Sequence, residues 1–373
     1  MSLGGHLTWA EIDIGALRHN YWLIKNKASG AGIMAVVKAD GYGHGMVEAS
    51  KTFIEEGVSY LAVAFVKEGI ELREAEIKTP TLVFARPTRE FIGTQIQNSL
   101  DVTIADPEDV ELIAGAAKRL SIPARVHLNV DTGMSRLGVE YGDAVAVAQN
   151  INSKEDLVFA GIYSHLATSD EIDPSHSKIQ IRKYKDIVEQ IRNEGITPGL
   201  SHLANSGGLL NFTDSLFNMV RVGIALYGHN PNPLRQKEDD LLQVMTLKST
   251  VAQIRAVTEG TAVSYGRTWI AGGPTKLATI PVGYADGIDR SLSGKMEVLI
   301  SGKRFNVVGR ITMDMMMADI GNSDVKVGDE VVVYGTQGNE SISISEVAQK
   351  LNTISYELTC SISKRVPRVY VNN

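Results

Sequence analysis

A lysine that ends an apolar run and opens a glycine-rich stretch is well placed to condense with a carbonyl compound, and Lys38 in AVVKADGYGHG (35–45) sits there. A lysine solvated at a strand end would occupy the same position, so its neighbours must decide between the two. Later apolar runs also end in reactive or charged groups. Tyr42 follows Lys38, and Arg86 comes next. Arg136 lies in DTGMSR, His165 closes GIYSH, Asn205 and Ser206 lie in HLANSGG, and Arg221, Gly223 and Tyr227 lie in RVGIALYG. Lys38, Arg136 and Arg221 would make a basic patch, which suits an anionic ligand. Gly207 and Gly208 either let backbone N–H groups approach an anion or serve a tight turn.

These groups need a frame that brings run ends together. Short β-rich apolar runs recur at 33–38, 60–65, 81–84, 100–105, 124–130, 157–165, 200–205 and 220–228, as buried parallel strands do. Helical patterns at 66–77, 106–120 and 177–195 separate several of them. In DPEDVE, Asp106 is expected to cap and Pro107 to open its helix. Eight strands alternating with helices predict a (β/α)8 barrel of the TIM type, with a doubly wound sheet as the alternative. In a barrel, the ends of all the runs share one rim. A phosphate-bearing aldehyde then becomes the natural ligand, and pyridoxal 5′-phosphate supplies both groups.

Past residue 236 the pattern changes. NPNPLRQKEDD (230–240) reads as a linker, short alternating runs follow, and only 343–352 looks helical. The expected domains are a barrel over 10–236 and a mainly β domain over 237–373, joined by residues 1–9.

Composition narrows the class. The chain has 373 residues, 43% apolar and 21% charged, with a net charge of −6, which gives no support for nucleic-acid binding. No run approaches a membrane span, and the single cysteine, Cys360, excludes an intrachain disulfide, so a cytoplasmic protein is expected. The eight histidines show no paired ligand spacing, and no metal is expected.

VVKADGYGHG, VDTGMSRLG, SHLANSGG, VRVGIALYG, VSYGRTW, PVGYADG and GRITMDMMMAD resemble, in order along nearly the whole chain, the signature stretches of bacterial alanine racemases. The resemblance implies a two-base racemase acting on a pyridoxal phosphate aldimine, interconverting L- and D-alanine and supplying D-alanine to peptidoglycan. Lys38 matches the lysine of the internal aldimine and one base, and Tyr265 matches the other. Arg136 matches a residue contacting that tyrosine and the substrate carboxylate, and His165 a link between Tyr265 and Arg221. Arg221 matches the group facing the ring nitrogen; an arginine there only donates, which favours return of the proton to Cα. Tyr42, Asn205, Ser206, Gly223, Ile224 and Tyr356 match cofactor-binding positions. Met313 and Tyr284 match substrate-binding ones, and Asp314 matches an acid orienting Arg136 or the bases. A homodimer with shared active sites is implied, Tyr265 and Met313 coming from the partner.

One position departs from the pattern. Many relatives carry a lysine, carbamylated in the folded enzyme, where HLNVDTGM has Asn129, and a neutral amide cannot supply that negative charge. A serine or broader-specificity racemase on the same scaffold remains an alternative, and so does a related barrel decarboxylase. A pyridoxal-phosphate-binding homeostasis protein is a non-enzymatic reading, which the β domain carrying Tyr265 opposes.

Overall fold

The computed structural model describes residue 5, residues 7–232 and residues 240–372. Most of the expected linker, 233–239, lies outside these, together with the expected boundary at 236. The chain divides into two compact units. One contains residues up to Leu17, Tyr227–His229 and the described carboxy-terminal part; the other contains Arg18–Leu226 and returns at Asn230.

The second of these is the barrel. Its strands are β2 (Gly32–Val36), β3 (Tyr60–Val63), β4 (Thr81–Val83), β5 (Leu100–Ile104), β6 (Ala124–Asp131), β8 (Leu157–Tyr163), β9 (Leu200–His202) and β10 (Met219–Val222). A two-residue strand, β7 (Val139–Glu140), hangs on β6. All eight pair in parallel, and the pairings of β10 with β2 and of β5 with β6 close the ring, which excludes the doubly wound sheet. Residues of β3, β4 and β5 are buried at every position, as strands covered on both faces must be. Helices Val66–Glu74, Glu108–Leu120 and Ser175–Asn193 occupy the expected places. Asp106 accepts the Glu108 N–H at 2.9 Å, so it serves the cap expected of it.

The other unit is mainly β. Its sheet begins with β1 (Trp9–Asp13), antiparallel to Met245–Thr250 and parallel to Arg368–Val371. The amino-terminal contribution to this unit therefore runs to Leu17 and includes a strand paired on both sides, where the sequence places the start of the barrel at residue 10. The reason is long-range: WAEID finds its partners more than 200 residues away. Beyond residue 240 a second helix, Ser355–Ser361, accompanies the expected one at Ile344–Leu351. The seven residues SYELTCS carry no side-chain cap and mix aromatic and β-branched types, so local propensity does not announce a helix. Among the described residues no helix is long and apolar enough to cross a membrane.

Candidate active site at the barrel rim

Lys38 stands two residues beyond the end of β2, at the start of an unusual turn. Ala39, Asp40, Gly41 and Tyr42 all have φ between 53° and 60°, so four consecutive residues are left-handed. Each of the three non-glycine members costs about 1–2 kcal/mol in that conformation. Local hydrogen bonds offset this cost. Gly43 N–H donates to the Ala39 carbonyl at 2.9 Å and Gly45 N–H to the Asp40 carbonyl at 2.9 Å, while Asp40 Oδ1 accepts the Met46 N–H at 2.9 Å. Glu68 supplies the outside support: its carboxylate accepts the N–H groups of Ala39 at 2.7 Å, Ala64 at 2.7 Å and Phe65 at 3.0 Å.

The turn delivers the buried Tyr42 hydroxyl to Gly223. A Cβ at Gly223 would fall 2.3 Å from Tyr42 Oη, so only glycine fits there. Ser206 Oγ arrives from the loop after β9 and accepts the N–H groups of Gly223 at 3.2 Å and Ala225 at 3.4 Å. Two hydroxyls and the amides after β10 thus gather in one small region. Asn205, expected among the cofactor-binding residues, spends its side chain on the protein. Its Oδ1 accepts the Gly208 N–H and the Ser169 hydroxyl, each at 2.8 Å, which fixes Ser206.

Arg221 projects from β10 and is buried. Its Nη1 donates to His202 Nδ1 at 3.0 Å and the His202 carbonyl at 2.7 Å; its Nη2 donates to the carbonyls of Ser164 at 2.6 Å and Leu203 at 3.1 Å. Nη2 also lies 3.3 Å from His165 Nδ1, which must accept. The fifth donor, Nε–H, has no acceptor among the described residues. Burial lowers the guanidinium to about 10, leaving it charged at neutral pH. Burial, followed by the charges of Arg221, Arg136 and Lys38, lowers His165 to about 3, so its imidazole is neutral. Those shared influences bring the three expected cations around one histidine. Asn129 Nδ2 donates to the Leu137 carbonyl at 3.2 Å, tying the loop that carries exposed Arg136 back to β6. Arg86 is engaged elsewhere, with Asp109 at 2.8 Å and Asp106 at 3.4 Å.

The β unit holds the remaining expected residues. Tyr265 is 72% exposed and follows Ser264, itself at φ 64°. Tyr265 edges a depression of about 430 Å³ lined also by Arg255, Thr312, Met315 and Met317. Met313 and Tyr284 are exposed, and Tyr356 is half-buried. Asp314 pairs with Arg365 at 2.8 Å, and Arg365 in turn holds Asp286 at 2.8 Å. Sequence reading passed over Glu68 and His202. Glu68 carries a signal, an acid three residues into its helix; His202 shows only as a polar residue in an apolar run.

Residues 12–231 match the family model described as alanine racemase, N-terminal domain, and residues 244–370 that for the C-terminal domain. An alanine racemase of Methanococcus maripaludis is 41% identical, covering 98% of this chain and 99% of the relative. The solved alanine racemase of Clostridium difficile superposes with a TM-score of 0.93 at 39% identity, over 98% of this chain and 96% of that one. A histidine racemase from Leuconostoc mesenteroides shares the fold at 26% identity and a TM-score of 0.91, over 99% of both chains.

Proposed function

Because the chain belongs to the alanine racemase family, we infer that it is an isomerase interconverting L- and D-alanine, with pyridoxal 5′-phosphate as its cofactor. The rim suits that cofactor: Tyr42 and Ser206 converge on a Gly223 backbone that admits no Cβ, and Arg221 keeps one donor without a protein acceptor. When bound, pyridoxal phosphate withdraws electrons from the substrate and acidifies its Cα–H.

Tyr42, Ser206 and the N–H groups of Gly223 and Ile224 would hold the phosphate, and Lys38 would bond the aldehyde carbon. Arg221 would face the ring nitrogen through Nε–H. A guanidinium only donates hydrogen bonds, so it would keep that nitrogen unprotonated and favour return of the proton to Cα. Lys38 moves a proton at Nζ on one face of the substrate, and Tyr265 at Oη on the other. Arg136 orients the carboxylate, His165 links Arg221 to the second base, and Asp314 acts on that network through its charge.

Tyr265, Tyr284, Met313, Met315 and Ile270 are all exposed on the β unit, and large exposed apolar side chains suit a protein interface when they lie together. That supports a homodimer in which a second copy lends Tyr265 and Met313. D-Alanine for peptidoglycan, made in the cytoplasm, is the matching role. Arg221 carries the reading, a buried cation whose Nε–H has no acceptor among the described residues.

The test is racemisation of alanine, serine and histidine by the purified holoenzyme, with Arg221→Glu and Lys38→Ala beside it. Alanine should be the preferred substrate, Lys38→Ala inactive, and Arg221→Glu prone to transamination. A preference for another amino acid, or normal racemisation by Lys38→Ala, overturns the reading.

A further inference from the structure

The barrel interior contains a second polar system that the chemistry above leaves unused. Asp101 on β5 is buried near the amino-terminal mouth, where Arg125 Nε reaches it at 3.2 Å and the Tyr60 hydroxyl donates to it. His127 on β6 places Nε2 3.1 Å from Asp101 Oδ2 and Nδ1 3.0 Å from His202 Nε2. His202 Nδ1 faces Arg221 at 3.0 Å. Four side chains from four strands thus run in file toward the rim.

The direction of every bond in this file is determined. Arg221 can only donate, so His202 Nδ1 must accept. Burial lowers both imidazoles, and a neutral imidazole carries a single N–H. His202 therefore carries its proton on Nε2 and gives it to His127 Nδ1. His127 in turn carries its proton on Nε2 and gives it to Asp101. Burial would raise the Asp101 carboxyl, yet the bonds from His127 and Tyr60 and the charge of Arg125 bring it below its ordinary range, so it accepts as a carboxylate. The surroundings fit this imidazole pair. Tyr163 stacks on His202 with ring centroids 5.1 Å apart, and a Cβ at Gly161 would fall 2.5 Å from His127 Nδ1.

We propose that Asp101 is a positioning residue for Arg221: through the Nε2–H tautomers of His127 and His202 it orders the guanidinium at the opposite mouth of the barrel. The idea rests on the proposed role of Arg221 at the rim. Arg221 demands the same tautomers from the other end, so an amide in place of Asp101, which can donate to His127 Nε2, sets the two ends of the file against each other and lets both imidazoles reverse. His202 would then point Nδ1–H at a guanidinium N–H, and the buried cation would lose an acceptor. A histidine tautomer set wrongly by a missing carboxylate is a known way to lose activity without losing geometry.

The experiment is nitrogen-15 NMR of histidine-labelled holoenzyme, wild type and Asp101→Asn, with racemisation kinetics on both. The wild type should show His127 and His202 neutral and protonated on Nε2. Asp101→Asn should move both to Nδ1–H, with kcat lower by on the order of 10–100-fold, the loss of one buried charge-assisted acceptor, and KM little changed. Gly161→Ala should disturb the same two resonances, which keeps the test open if Asp101→Asn does not fold. A wild-type His202 protonated on Nδ1, or an Asp101→Asn enzyme with unchanged tautomers and kcat, overturns the proposal. The NMR result does not depend on what Arg221 does at the rim. A failure there is distinguishable from Arg221 variants that racemise normally, which would refute the rim reading alone.

Discussion

Replacing Glu68 by glutamine keeps shape and volume but removes one of two equivalent oxygens. In the native turn the carboxylate accepts three backbone N–H groups, from Ala39, Ala64 and Phe65. Glutamine keeps the Ala64 and Phe65 bonds if its oxygen faces them, and its amide nitrogen then confronts the Ala39 N–H, donor against donor. A hydrogen bond to a charged group contributes about 1.5–3 kcal/mol. Ala39 is exposed, so water takes up part of the loss, and a net destabilisation of about 2 kcal/mol is expected for Glu68→Gln. The lost bond is the one that holds the left-handed turn from outside, and Lys38 immediately precedes that turn. Racemisation should therefore fall more than stability alone explains. Ala39→Gly in the same background removes the left-handed penalty at one residue and should return up to about 1 kcal/mol. The assay is urea unfolding of holoenzyme together with kcat, for both single variants and the double. A Glu68→Gln midpoint equal to wild type with unchanged kcat refutes the reasoning, as does an Ala39→Gly substitution that recovers no stability.

Two further expectations concern the shared site and acid stability. Lys38→Ala and Tyr265→Ala, each inactive, should regain roughly a quarter of wild-type activity when unfolded and reassembled together, by random pairing within two-fold dimers; heterodimers that form and stay inactive refute the shared site. His165 is held to about 3 in the folded protein, below its unfolded value, so the unfolded chain binds the proton first as pH falls. Its contribution is complete above about pH 6.5 and is lost progressively toward pH 3, the loss reaching about 2 kcal/mol at pH 5. His165→Gln should flatten the loss of unfolding free energy between pH 6.5 and pH 4, and an unchanged slope would contradict the neutral imidazole.

The barrel was legible because parallel strands covered on both faces must be largely apolar, and runs such as YLAV and GIMAV carry that demand openly. Lys38 was legible for a related reason, since a lysine ending such a run stands out against its neighbours. Legibility ended where structure depends on partners distant in sequence. WAEID does not announce that it will pair with residues near 245 and 370. ADGY reads as a loose glycine-bearing loop, and the hydrogen bonds that hold four left-handed residues in it come from its own carbonyls and from the Glu68 carboxylate 29 residues away. Asp101, His127, His202 and Arg221 show no local pattern, being scattered over 120 positions on four strands. Closure of the barrel turns alternate residues of each strand inward, and that alone sets them in file. Residue type along the chain determined which strands were buried and which groups could do chemistry. Ring closure and long-range hydrogen bonding decided which of those groups meet, because contacts between distant residues are a property of the assembled barrel and not of any segment of it.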